Sequence, residues 1–214
     1  MLKIFCFLYG GMRGTKMKVI NWKNALYIIV SITAIVLIVK FFANDLVLEF
    51  EVFIDAISLS VTINSVLSIL FCKTLWKLKI FQKWLVLIPN LNGKWEGQID
   101  SDAIHPFTYE DCKGIKTQLI IKQTLFSISC VMKTNEMTSR SVSANFIIDA
   151  ENQRQQLVYT YQSIPKQTVQ YWSPIHFGTA LYDLDDPYQV NTLDGNYWTG
   201  RRTTGCIKLT KCNH

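Results

Sequence analysis

Ten residues near the end of the chain hold its densest chemistry. Asn196-Tyr197-Trp198-Thr199-Gly200-Arg201-Arg202-Thr203-Thr204-Gly205 packs two aromatics, two arginines, three threonines and two glycines together. Purine rings need flat faces to stack on. Phosphates need guanidinium forks, hydroxyls and backbone N–H groups. The segment offers all of these, so nucleotide binding is expected from Tyr197, Trp198, Thr199, Arg201, Arg202 and Thr203. Tyr159, Tyr161 and Asn145, with Gln162 beside them, are expected to complete the pocket.

Catalytic groups are poorly represented. There is no P-loop, nucleophile elbow or HExxH motif. His105 precedes a proline, and His176 alternates with Phe177 as a wall residue would. Asp183, Asp185 and Asp186 read as a solvated turn before Pro187. The six cysteines form no CxxC pair, so no metal site, cofactor or enzymatic activity is expected. In a cytoplasmic domain these thiols stay reduced.

The elements that must position this chemistry are of two kinds. From Leu91 onward the apolar period switches to two. Candidate strands are Leu91–Ile99, Ile115–Thr124, Leu125–Lys133, Arg140–Asp149, Gln156–Ser163, His176–Leu184, Asn196–Arg201 and Thr204–Lys211. Eight short strands with no credible helix between them favour an antiparallel up-and-down barrel. The last two could instead be one bent strand, kinked at Gly200 or Gly205. Alternation predicts an interior holding Trp95, Leu119, Ile121, Phe126, Ile128, Cys130, Met132, Leu157, Tyr159 and Tyr161.

Ahead of the strands stand two apolar stretches. Ala25 to Phe42 has no charge before Lys40, and Phe53 to Phe71 carries only Asp55. Each approaches the ~20 residues a helix needs to cross a hydrocarbon core. Lys3, Arg13, Lys16, Lys18 and Lys23 precede the first, and Lys73, Lys77, Lys79 and Lys83 follow the second. The loop between them carries Asp45, Glu49 and Glu51. The positive-inside rule then places both termini and the barrel in the cytoplasm. This topology and lipid headgroups account for the net charge of +6 without any DNA or RNA partner.

The expected organisation is a basic cytoplasmic N-terminus (1–24), a two-helix transmembrane hairpin (25–72), a basic amphipathic connector (73–89) and a β-barrel sensing domain (90–214). Along Thr74–Leu87 the mix of Lys with Leu, Ile and Phe predicts a helical continuation at the interface, anchored at headgroup level by Trp76 and Trp84. Met12 and Met17 are possible later starts, and MLKIFCFLYGG lacks a cleavage signature. In the second span Ser58, Thr62 and Ser65 share one face, with Asn64 near its centre. Such residues suit helix packing inside the hairpin, or self-association between copies in the bilayer.

Gly93-Lys94-Trp95, followed by Gly97, opens the first strand. In lipocalin-like barrels a tryptophan at this place closes one end, covered by a late arginine through cation–π contact. Gly93 and Trp95 are therefore expected to close the barrel here, with Arg201 or Arg202 as the latch and the other arginine left to bind ligand. The same pattern permits a membrane-tethered carrier of lipid or another hydrophobe, which would need an open apolar cavity.

The hairpin, the basic connector, the GxWxG entry at Gly93, Trp95 and Gly97, and the YWTxRxTG-like exit at Tyr197, Trp198, Thr199, Arg201, Thr203 and Gly205 resemble one family. They are similar to the membrane effectors of bacterial CBASS antiphage systems that accompany CD-NTase enzymes. These have two transmembrane helices and a lipocalin-like barrel that senses a cyclic nucleotide. The resemblance implies a partner, a cyclic dinucleotide messenger made by a CD-NTase. It also implies self-association into oligomers in the bacterial inner membrane, and disruption of that lipid bilayer to kill the infected cell.

Overall fold

The computed structural model describes residues 19–43, 50–103, 112–149, 154–184 and 190–212. Expectations resting on His105, Asp185, Asp186, Asp45, Glu49, Met12, Met17 and the lysines and arginine before residue 19 fall outside them.

Two helices, α1 (Trp22–Ala43) and α2 (Phe50–Lys73), come first. At about 1.5 Å per residue each is long enough, and each is apolar enough, to cross a membrane. Neither contains the proline or glycine that would interrupt it. They pack through the small side of α2, where Ala56 and Ser60 are buried. Asn64 donates to the Ser60 carbonyl at 2.9 Å and to Thr33 Oγ1 of α1 at 3.4 Å. Ser58 and Thr62 lie on the side of α2 that α1 leaves exposed. The Thr62 and Ser65 hydroxyls satisfy themselves by donating to the carbonyls of Ser58 and Val61.

Eight strands follow: β1 (Gly93–Ser101), β2 (Ile115–Gln123), β3 (Ile128–Thr134), β4 (Met137–Asp149), β5 (Arg154–Pro165), β6 (His176–Asp183), β7 (Thr192–Thr199) and β8 (Thr204–Lys211). Each pairs antiparallel with its neighbours, and β1 pairs with β8 to close the barrel. The single-bent-strand alternative is overturned, because β7 and β8 pair as a hairpin over Thr192–Trp198. A bulge in β4 between Ser141 and Ser143 pushes Val142 outward. Alternation fills the interior with Trp95, Leu119, Ile121, Cys130, Leu157, Tyr159, Tyr182, Leu193, Ile207 and Leu209. Phe126 does not join them. It sits in the turn after β2 and is exposed.

The connector departs most from expectation. Two short 3₁₀ turns, Leu75–Lys77 and Lys79–Phe81, replace a continuous helix. Trp76 is no headgroup anchor, for it is only 1% exposed and joins Val19, Val86, Ile88, Leu91 and Trp95 in the core. Burying so large a ring outweighs the small per-residue helix propensities of this Leu- and Lys-rich segment. Trp84 does remain exposed. Backbone bonds join the two flanks of the hairpin: Leu87 N–H donates to the Val19 carbonyl (3.0 Å) and Asn21 N–H to that of Leu85 (2.9 Å). Buried Gln123 then ties the connector to β2, accepting from Leu91 N–H and donating to the Pro89 carbonyl, each at 2.8 Å. This end of the barrel is a sealed, apolar floor.

Candidate functional site at the barrel mouth

The opposite end is open. A cavity of about 860 Å³ enters the barrel where β1 and β7 finish and β4 and β8 begin. Tyr159, Tyr161, Tyr197, Thr199, Arg201 and Thr203 line it, so the structure brings six of the nine expected ligand residues together. Alternation explains the other three. Trp198 lies between inward-facing Tyr197 and Thr199 and points out, 47% exposed. Asn145 flanks buried Phe146 on β4 and also faces out. Arg202 occupies the left-handed position of the β7–β8 turn (φ 65°), with its side chain exposed.

The aromatic walls depend on two glycines. A Cβ on Gly178 would lie 2.5 Å from the Tyr161 ring, and one on Gly205 would lie 2.6 Å from that of Tyr197. Tyr159 stacks on Tyr182 beneath them at 6.1 Å. Burial pushes the Tyr161 and Tyr197 hydroxyls upward in pKa. Both therefore remain donors throughout the physiological range. Beneath the mouth Cys130 is pushed up to about 12 by burial and stays a thiol.

The β7–β8 turn is tightly tied. Thr199 and Thr203 bond backbone to backbone (3.0 Å) and hydroxyl to hydroxyl (2.7 Å). The tie turns Arg201 inward, where Nη1 donates to Ser173 Oγ at 2.8 Å. Its Nε is buried with no hydrogen-bond partner. An N–H of a charged group left so is costly, and an anion entering the cavity would satisfy it. Ser173 and His176, contributed by the β5–β6 segment and the start of β6, complete this wall. The sequence reading did not single out Ser173 and took His176 only as a wall residue. His176 Nδ1 lies 2.9 Å from the Pro174 carbonyl. Desolvation, with a smaller contribution from Arg201, holds His176 below its usual pKa.

The expected arginine latch is corrected. Trp95 is fully buried at the floor and donates Nε1–H to the Leu91 carbonyl at 3.0 Å. The cation over its ring is Lys211, 5.3 Å from the centroid. Gly93 supplies a positive φ (131°) beside it. Arg201 and Arg202 lie at the other end of the barrel.

A second concavity, about 850 Å³, runs over the outer wall of β1, β2 and β8 past Glu96, Gln98, Lys116 and Lys208. It is a similar size, but its charges are mixed and no aromatic ring lines it. Of these two concavities, the mouth combines flat faces with an inward guanidinium. The cavity mixes apolar side chains, among them Ile99, Met132, Met137 and Ile207, with hydroxyls and the Arg201 guanidinium, and it lies above a filled core.

Comparison with known proteins agrees with this geometry. The family model described as Cap15, cyclic dinucleotide receptor domain, matches residues 86–211. A CD-NTase-associated protein 15 of Staphylococcus schleiferi is 33% identical over 158 residues, which cover 74% of this chain and 80% of that protein. Its namesake in Escherichia albertii is 28% identical over 168 residues, 74% of this chain and 81% of that protein. With a closed eight-stranded barrel behind two apolar helices, the chain belongs to the Cap15 family of CD-NTase-associated CBASS effectors and carries that family's cyclic dinucleotide receptor domain.

Proposed function

We propose that a cyclic dinucleotide made by a CD-NTase binds in the mouth cavity, and that its binding assembles copies of the chain and disrupts the bacterial inner membrane. The observation that carries the binding step is the buried, partnerless Nε of Arg201 within a cavity walled by Tyr161 and Tyr197. Bases stack on the rings while the guanidinium takes a phosphate. The protein acts as a receptor, with no catalytic step.

The output lies in the helices. Their large apolar side chains, from Leu26 to Leu70, are uncovered by protein, as a lipid-facing surface requires. The basic flanks orient both ends and the barrel toward the cytoplasm, where a nucleotide messenger reaches the mouth. Asn64 is spent within the hairpin, so outward Ser58 and Thr62, with half-buried Ser65 beside them, are the polar part of α2 available to another copy. For the ligand to trigger assembly it must bind the assembled state more tightly than the resting one.

Calorimetric titration of the full chain in lipid nanodiscs against a panel of cyclic dinucleotides tests the binding step. At least one should bind the wild type, and Arg201→Ala should weaken that binding by roughly 30- to 150-fold while the barrel's circular dichroism is unchanged. A folded Arg201→Ala protein that binds normally would overturn the site. Dye release from liposomes carrying the full chain tests the output. It should start only on adding that ligand, and no release at saturating ligand would overturn the membrane step.

A further inference from the structure

We infer that one phosphodiester of the messenger is held between Arg201 and His176, and that His176 takes up a proton at Nε2 as this phosphate binds. The inference rests on the reading of the mouth as the dinucleotide site. A carbonyl oxygen can only accept, so the Pro174 carbonyl requires the hydrogen of neutral His176 to sit on Nδ1. Nε2 is then a lone-pair acceptor in a residue that lines the cavity. Facing a phosphate oxygen, two acceptors repel. One proton converts Nε2 into a donor and the ring into a cation, while the bond to Pro174 is kept.

The neighbourhood opposes that proton until an anion arrives. Burial and the Arg201 guanidinium both hold His176 neutral. An anion lodged between them outweighs both: it attracts the two cations, and it accepts from Nε2 and from the unpaired Nε of Arg201. Other ionisable groups line the cavity. Tyr161 on β5 and Tyr197 on β7 are protonated alcohols. Tyr159 is buried deeper, Cys112 sits before β2, and Lys116 and Glu136 are exposed at the rim. Among the described residues Arg201 is thus the inward cation of the site, and a messenger with two phosphates meets one strong anchor and one weak one there.

The test is titration of the full chain in nanodiscs with 3′,3′-linked cyclic di-AMP, cyclic di-GMP and cyclic AMP–GMP from pH 6 to 8. Two buffers of different ionisation enthalpy count the protons. Wild type should take up close to one proton at the acid side of the bound-state transition. Its affinity should fall by up to about tenfold per pH unit between the free and bound pKa values of His176. His176→Gln keeps an N–H near the Nε2 position but cannot titrate, so it should bind with a flat pH profile. His176→Asn lacks that donor and should bind weakly at every pH. Wild-type binding with no proton uptake and no pH dependence would overturn the inference while leaving the site intact. Failure of wild type to bind any of the three, or binding unaffected by Arg201→Ala, would instead overturn the reading beneath it. If either His176 variant fails to fold, the wild-type proton count alone decides.

Discussion

The two ends of one barrel are built on opposite principles. At the floor Trp95, Leu91, Val86, Trp76 and Val19 form an apolar plug continuous with the helical hairpin. Gln123 and the Trp95 indole are paired internally there, while the Trp76 indole N–H is buried with no partner. At the mouth Arg201 keeps a buried N–H with no partner, and two glycines hold space open for aromatic faces. A floor optimised for packing transmits position. The uncharged Trp76 N–H is shut inside the plug, whereas the charged Arg201 N–H borders an open cavity, where a suitable ligand can satisfy it. The difference separates stability from binding, and substitutions can test that separation.

The largest effect belongs to the floor. Trp95→Ala should destabilise the barrel by about 3–5 kcal/mol, read as a lowered chemical-denaturation midpoint. A loss below about 1 kcal/mol would show that the plug is not a structural keystone. Next comes the mouth, where Arg201→Ala should weaken dinucleotide binding by about 2–3 kcal/mol with little change in that midpoint. Unfolding of this variant would mean that the mouth, too, is structural.

Gly178→Ala sharpens the comparison by coupling both properties. Its Cβ would meet the Tyr161 ring at 2.5 Å and the Trp198 carbonyl at 2.9 Å, so it should cost about 1–3 kcal/mol of stability and displace a binding wall as well. Unchanged affinity would remove Tyr161 from the site. A smaller effect follows from His176, whose folded pKa lies below the ordinary 6.5. Below pH 6.5 the unfolded histidine takes a proton that the folded one refuses. This contribution to stability is therefore present above pH 6.5 and is lost as pH falls through the folded pKa. Melting temperatures of the ligand-free chain between pH 7.5 and 5 should show a slope that His176→Gln reduces. Smallest of all, Trp198→Ala, Arg202→Ala and Asn145→Ala should each alter stability by no more than about 0.5 kcal/mol and leave dinucleotide affinity unchanged. A strong binding loss in any of them would place the ligand on the outer wall.

Much was legible in the linear chain. Helix length and apolarity, the switch to a two-residue period, and the count of eight strands are local consequences of which side chains avoid water. The concentration of Tyr, Thr and Arg at 197–203 likewise marked the turn that borders the mouth cavity, because those residue types carry their chemistry wherever the turn lies. Alternation, had it been followed through the motif, would also have separated Tyr197 and Thr199 from Trp198.

Only the tertiary structure decided which residues meet across the barrel. In an up-and-down barrel of eight strands the turn before the last strand lies at the end where the first strand finishes. Arg201 therefore cannot reach Trp95, and Lys211 does. Ser173 and His176 reach Arg201 because the β5–β6 connection folds over the same end, a non-local contact that no spacing announces. Trp76 turned inward for a similar reason. An amphipathic pattern describes a preference for an interface, but the free energy of burying a large ring depends on whether a floor exists to receive it, and closure of the barrel creates that floor.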